Sequence, residues 1–283
     1  MSFAPFAPRA RIVLVVALVA ATGAGCGRQP NGATAQPIAS AAAAESAGAE
    51  DAGRGEGYSF RIRYPELDPR WPALTRALHG FAAENKREFL GFVEADDGRP
   101  AGASPYWLNL DFAVARRTAD FVSVLASGGM FTGGAHGMPI SASFNLHLAD
   151  GRLVELGDLF DDPRAALAAL SEECRRQLEG RFEANLREQI GEGKALAPAL
   201  ERMRDWVARG TEPVARNFAV FLIDGLDGKA IGLTVIFPPY QVASYADGEQ
   251  QVEVPAKVFH ALLKPEYRDA FLIDSEADGR GAR

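Results

Sequence analysis

The chain has 283 residues, with 37 Asp and Glu against 30 Lys and Arg for a formal net charge of −7, and 47% of its residues are hydrophobic. This acidic balance argues against nucleic acid or an anionic membrane surface as the main partner. The apolar content is enough for one substantial core or two small lobes.

Arg9 and Arg11 precede the unbroken apolar run Ile12 to Ala21, and small residues then lead to Cys26, the layout of a secretory signal. The run is too short to span a bilayer as a stable helix. Thr22-Gly23-Ala24-Gly25-Cys26 resembles a bacterial lipobox; Ala24 and Gly25 fit it, whereas Gly23 stands where leucine is usual. Residues 1–25 are therefore expected to be a lipoprotein signal peptide and Cys26 the lipidated residue. Two or more acyl chains, at ~0.8 kcal/mol per buried methylene, anchor a protein stably. Gly27 is not the aspartate of a retention signal, so the periplasmic face of a Gram-negative outer membrane is the expected address. With Cys26 lipidated, Cys174 is the one free thiol and no intramolecular disulfide can form.

From Cys26 to about residue 57 the composition is mostly Ala, Gly, Ser, Pro, Gln and Glu, which cannot offset the entropy of ordering, so a disordered linker is expected. Tyr58, Phe60, Ile62 and Tyr64 alternate with Ser59, Arg61 and Arg63, predicting a half-buried strand that ends at Pro65. A helix is expected next. Asp68 is placed to cap it, Pro69 and Pro72 suit its first turn, and Trp71, Leu74, Leu78, Phe81, Phe89 and Phe92 form its apolar side. Three strands follow a turn-rich stretch, through Leu108 to Val114, Phe121 to Leu125 and Ile140 to Leu148, and Asp150-Gly151 turns tightly into Leu153 to Leu156. The loop Thr132-Gly133-Gly134-Ala135-His136-Gly137 thus joins two strands expected to be antiparallel.

A short turn at Gly157 to Phe160 leads to a long helix over about 163–190, and a less regular helical stretch reaches Val207. Cys174 lies in line with Leu167, Leu170, Leu178, Phe182, Leu186 and Ile190 at helical spacing, which makes it a small core residue rather than a reactive thiol. Phe218, Val220 and Leu222, then Ile231, Leu233, Val235 and Phe237, predict two strands. Pro238-Pro239 ends the second, an irregular loop spans Tyr240 to Gly248, and Gln251 to Val254 is a last strand. The order predicts an α+β fold of antiparallel sheets packed with a few helices, in parts 58–155 and 156–263 with a polar tail over 264–283.

Four motifs in order carry a resemblance: Tyr64-Pro65 before a helix, the GGAHG loop, Leu156-Gly-Asp-Leu-Phe160, and Phe237-Pro-Pro-Tyr-Gln-Val-Ala-Ser-Tyr-Ala-Asp-Gly248 before Val252-Glu-Val-Pro255. Together they resemble the bacterial extracytoplasmic domains of unknown function of the RsiV and PdaC C-terminal type, DUF3298 with a preceding DUF4163-like segment. The resemblance implies a cell-envelope domain, with lysozyme binding known in one branch. Neither the cytoplasmic domain of an anti-sigma factor nor the paired-aspartate and His-x-x-x-His pattern of a polysaccharide deacetylase is expected here.

Among the four histidines, His79 and His260 are expected to be solvated on helical segments. His136 is expected to pin its loop by a hydrogen bond, with Gly133, Gly134 and Gly137 making the turn. Tyr240 and Tyr245, packing over a sheet end in the plainer reading, would in the functional one join His136 and Gly134 as a rim recognising a sugar or a protein loop. The expected function is that of a noncatalytic envelope lipoprotein binding a lysozyme-like muramidase or peptidoglycan, with no cofactor, metal or nucleic acid. The alternative is an envelope polysaccharide or peptidoglycan hydrolase in which His136 works with a nearby carboxylate such as Asp158, and with His147.

Overall fold

The computed structural model describes residues 47–96 and 103–273. The expected signal peptide, Cys26, the first part of the expected linker and the end of the polar tail lie outside them.

Strand β1 (Ala47–Gly55) turns into β2 (Tyr58–Pro65), and helix α1 (Pro72–Ala95) crosses to β3 (Tyr106–Arg117), β4 (Phe121–Phe131), β5 (Met138–His147) and β6 (Arg152–Val154). These six strands form one sheet in sequence order. Helices α2 (Pro163–Ile190) and α3 (Leu196–Gly210) follow, then a three-stranded sheet of β7 (Phe221–Leu226), β8 (Lys229–Phe237) and β9 (Gln250–Pro255), and the short α4 (Pro265–Arg268). The fold is α+β, as the periodicities predict. All neighbouring strands run antiparallel except β2 and β3, which are parallel because the chain crosses between them through α1 instead of a hairpin.

The expected linker is shorter at its folded end, since β1 occupies 47–55 of it. Strand β1 has no large apolar side chain, and its order comes from its neighbours. A Cβ on Gly53 would stand 2.5 Å from the Phe60 ring and one on Gly55 2.3 Å from the Tyr58 ring, so the β2 aromatics fill the space that β1 leaves. Asp51 then ties β1 to α1 through Lys86 Nζ at 2.8 Å.

On α1, Leu74, Leu78, Ala82, Asn85 and Phe89 recur at helical spacing and are buried against β2 to β5. Burial of each large apolar side chain contributes about 2 kcal/mol. Two details differ from the expected helix. Trp71 holds the N-cap position without a side-chain cap, and Asp68 instead accepts the Arg70 N–H and pairs with its guanidinium. Phe92 is 47% exposed, one turn beyond the last core position, Phe89.

The second core joins α2, α3 and the three-stranded sheet, with Leu170, Cys174 and Leu178 fully buried. Asp162 caps α2, accepting the N–H groups of Arg164 and Ala165. The strand expected from Phe218 begins at Phe221; Ala215–Phe218 is a 3-10 turn whose Phe218 still packs in the core. The polar face of β5, which carries Ser143 and Asn145, is an interface. Strand β7 lies against it: the Phe221 N–H donates to Ser143 Oγ, and Asn145 Nδ2 donates to the Phe221 carbonyl.

Candidate functional site

The loop 132–137 leaves β4 through a constriction. A Cβ at Gly128 would be 2.0 Å from the Asn109 carbonyl oxygen, and one at Gly137 would be 2.8 Å from the Trp107 indole. Gly133 and Gly134 then take φ +106° and +96°, left-handed conformations that a side chain disfavours. The tip of the loop presents His136, exposed to solvent.

The loop after β8 is held from the other side. Pro238 and Pro239 end the strand, and Tyr240 adopts φ +73°, uncommon for a bulky residue. The Tyr240 N–H donates to Ala243 O at 3.0 Å, and the Trp206 indole of α3 donates to Tyr240 O at 3.1 Å. Gln241 donates from Nε2 to the carbonyls of Gly210 and Asn217, each at 2.9 Å. Val242 and Ala243 are buried beneath. Asp247 accepts the N–H and hydroxyl of Ser244, and Gly248 at φ +70° closes the turn.

The two loops meet. The His136 ring stacks on Tyr245 with centroids 4.2 Å apart at 20°, and Tyr240 and Tyr245 lie 5.6 Å apart. Because a carbonyl only accepts, His136 Nδ1 donates to Gly137 O at 3.0 Å; in the neutral ring Nε2 is then the acceptor for the Tyr240 hydroxyl at 2.9 Å. Ser141 Oγ donates to Glu249 Oε2 at 3.2 Å and joins β5 to the same loop. Tyr240 and Tyr245 remain 46% and 39% exposed, so both rings are fixed and open to solvent. Gly134 has open space where a Cβ would stand, and its contribution is the backbone turn.

The alternative catalytic set is not assembled. His136 lies just before β5, Met138–His147, and His147 at its far end, so the length of the strand, about 30 Å at a strand's rise per residue, lies between them. His147 Nδ1 faces Asp150 Oδ1 at 3.1 Å, and its ring packs against Phe121 and Tyr267. Asp158 accepts the Glu155 N–H at 2.9 Å within its own turn. Partial burial would raise Asp150, but hydrogen bonds from Arg152 and His147 outweigh it and hold that carboxyl at about 2. Among the described residues no group of three or more His, Cys, Asp or Glu is placed to hold a metal ion. The expectation for the other two histidines is refined. His79 is exposed but stacks on Tyr64 at 4.3 Å, and His260 Nε2 lies 3.2 Å from Arg268 O.

Two supporting residues escaped the sequence reading, Trp107 under the first loop and Trp206 under the second. Their one signal is the rarity of the residue: both belong to a set of three tryptophans.

A family model described as a protein of unknown function, DUF3298, matches residues 157–257. The chain is 24% identical over 215 residues to the peptidoglycan-N-acetylmuramic acid deacetylase PdaC of Bacillus subtilis (strain 168), a match covering 76% of this chain and 41% of that protein. Among solved structures, a DUF3298 family protein from Pseudomonas aeruginosa PAO1 aligns at 19% identity and a TM-score of 0.49, over 78% of this chain and 93% of the other. A DUF3298 member from Bacteroides fragilis NCTC 9343 aligns at 16% and 0.49, over 78% and 94%. The chain carries a DUF3298 domain over residues 157–257, the part that supplies Tyr240 and Tyr245 to the aromatic cluster.

Proposed function

We propose that this is a noncatalytic cell-envelope lipoprotein whose α+β domain binds a glycan or protein ligand, peptidoglycan or a lysozyme-like muramidase, on the surface formed by His136, Tyr240 and Tyr245. The observation that carries the reading is Tyr240: a bulky residue kept at φ +73°, fastened at its backbone and its hydroxyl, yet 46% exposed. Such backbone strain costs on the order of 1–3 kcal/mol and persists at sites where placement of the side chain matters. Rigid tyrosines supply contact area with little ordering entropy left to lose, which suits a recognition surface.

The likeness to PdaC supports a role connected with the cell wall, although the chain spans only 41% of that protein's length. The part before residue 157 is read as the DUF4163-like companion of the DUF3298 domain. In the same reading Cys26 carries the lipid, and incorporation of labelled palmitate, lost in Cys26→Ser, tests the anchor.

Binding is tested by calorimetric titration of the protein with soluble peptidoglycan fragments and, separately, with lysozyme. Heat of binding with one of them, weakened about tenfold or more by Tyr240→Ala or Tyr245→Ala, is the expected result for a surface hot spot. No heat with either, or binding indifferent to both substitutions, refutes the assignment. The hydrolase alternative is disfavoured by the separation of His136 from His147 along β5.

A further inference from the structure

The molecule treats its sheet edges unequally. On β9, the outward carbonyls of Glu253 and Gln251 accept hydrogen bonds from Gln177 and Arg181 of α2, at 2.8 and 3.0 Å. On β7, the N–H groups of Phe221 and Ile223 donate to the Ser143 and Ser123 hydroxyls at 2.9 and 3.1 Å. Strand β6 is only three residues long. Strand β1 is different: it has nine residues and ends the six-stranded sheet, and among the described residues nothing pairs with its outer edge. Long open edges of this kind pair with another strand unless something blocks them. The rings of Phe60 and Tyr58 cover one face of β1 at Gly53 and Gly55, but its outer edge carries only small residues, Gly48, Ala49, Ala52, Gly53 and Gly55, beside the charged ones, and no proline interrupts it. The one irregularity in its pairing with β2 falls between Ala47 and Glu50, at the start of the strand.

The charges on β1 select the partner. Glu50 stands opposite Arg63 on β2, and Arg63 opposite Asp111 on β3, giving a ladder of alternating sign across three strands. The Arg63 guanidinium holds Asp111 with two bonds, Nε to Oδ1 at 2.5 Å and Nη2 to Oδ2 at 2.8 Å. The ladder ends at Glu50 on the open edge, and Arg54 lies four residues further along the same face.

We propose that β1 pairs antiparallel with β1 of a second copy of this chain about a two-fold axis at Ala52, joining two six-stranded sheets edge to edge. In that register Glu50 of each copy faces Arg54 of the other, so the ladder gains a fourth, positive member at each end of the contact. Asp51 faces Gly53, which adds no charge. The neighbouring registers are worse: an axis at Asp51 sets Asp51 against itself, and an axis at Gly53 sets Glu50 against Glu56. Like charges directly opposite destabilise a strand pair, whereas opposite charges stabilise it. The contact is isologous, as a closed dimer requires, and it is independent of the His136 surface.

The test is sedimentation of the full-length protein in detergent, over a range of protein concentrations and with excess micelles so that co-residence in one micelle is not scored. The expected result is a reversible dimer that weakens with salt. Arg54→Glu should weaken it about tenfold or more by setting Glu50 against the new carboxylate, and the exchange Glu50→Arg with Arg54→Glu should bring it back to within about threefold. Unchanged thermal unfolding of the monomer separates this effect from misfolding, because Arg54 makes no ion pair among the described residues. A monomer at every concentration overturns the proposal, as does a dimer that Arg54→Glu leaves untouched.

Discussion

Asn145 on β5 and Phe221 on β7 are 76 residues apart in sequence, and the Asn145 amide donates from Nδ2 to the Phe221 carbonyl at 3.0 Å. The same side chain accepts the Ser123 hydroxyl at Oδ1, 2.6 Å away, and Ser123 Oγ in turn accepts the Ile223 N–H at 3.1 Å. Ser143 Oγ accepts the Phe221 N–H at 2.9 Å. Side chains of the first sheet thus serve as the missing strand partner of β7 and join the two sheets. Asn145 and Ser123 are almost fully buried, so each of these bonds replaces water that is no longer present.

Replacing Asn145 by leucine keeps the volume and removes both bonds. The Phe221 carbonyl and the Ser123 hydroxyl would then be buried without their partner, at a cost of about 2–4 kcal/mol, against about 1–2 kcal/mol for Ser143→Ala, which strands one N–H. Urea unfolding of the two variants checks the order. Equal stability for Asn145→Leu and the wild type would show that the sheets are held by apolar packing alone.

Cys174 gives a pH prediction. Burial, and then the charge of Glu173, push its thiol up to about 12 from 9.0. The unfolded thiol ionises near 9 while the folded one stays neutral to about 12, so its contribution to stability is complete below pH 9 and is lost as pH rises from 9 to 12. Between pH 8 and pH 11 the wild type should lose about 3 kcal/mol more than Cys174→Ala, on the order of 1.4 kcal/mol per pH unit above 9. Parallel slopes for the two proteins would refute the assignment.

The second loop depends on a close approach that glycine permits. A Cβ on Gly210 would lie 2.2 Å from the Gln241 carbonyl oxygen, and Gln241 Nε2 bonds back to the Gly210 carbonyl at 2.9 Å. Gly210→Ala should cost about 2 kcal/mol through overpacking and push the Tyr240 turn away from α3. The sensitive readout is the His136 imidazole resonance, which should lose the signature of the Tyr240 hydroxyl bond even where the protein stays folded.

Much of this fold is legible in the sequence because its signals are strong. Leu74, Leu78 and Phe89 on α1, and Leu170, Cys174 and Leu178 on α2, keep helical spacing, and Phe60 and Ile62 alternate along β2. Strand β1 is not legible, since its residues carry no apolar period and the rings of Tyr58 and Phe60 order it from outside. The alternation along β5 reveals a polar face but not what it meets; Ser143 and Asn145 look like solvent-facing residues until β7 is docked. The rim of His136, Tyr240 and Tyr245 is legible as three separate candidates. Their meeting follows from packing one sheet on the other across a separation of 104 residues between His136 and Tyr240, which no local pattern encodes.

Tyr240 itself separates strain from function. At φ +73°, asparagine and glycine are tolerated and alanine is not, so Tyr240→Asn should relieve backbone strain that Tyr240→Ala retains. Both lose the aromatic ring and the hydroxyl bond to His136, and the difference between them therefore reports the backbone: Tyr240→Asn should be more stable than Tyr240→Ala by about 1 kcal/mol in urea unfolding. Tyr240→Phe keeps the ring and the strain and deletes only the exposed hydroxyl bond, with an expected cost of about 1 kcal/mol or less. If the ring is the recognition element, Tyr240→Phe keeps most of the binding to peptidoglycan fragments or lysozyme, while Tyr240→Asn loses it despite the relieved strain. A Tyr240→Asn protein that is no more stable than Tyr240→Ala would mean that the left-handed backbone costs nothing here, removing the strain argument for the site.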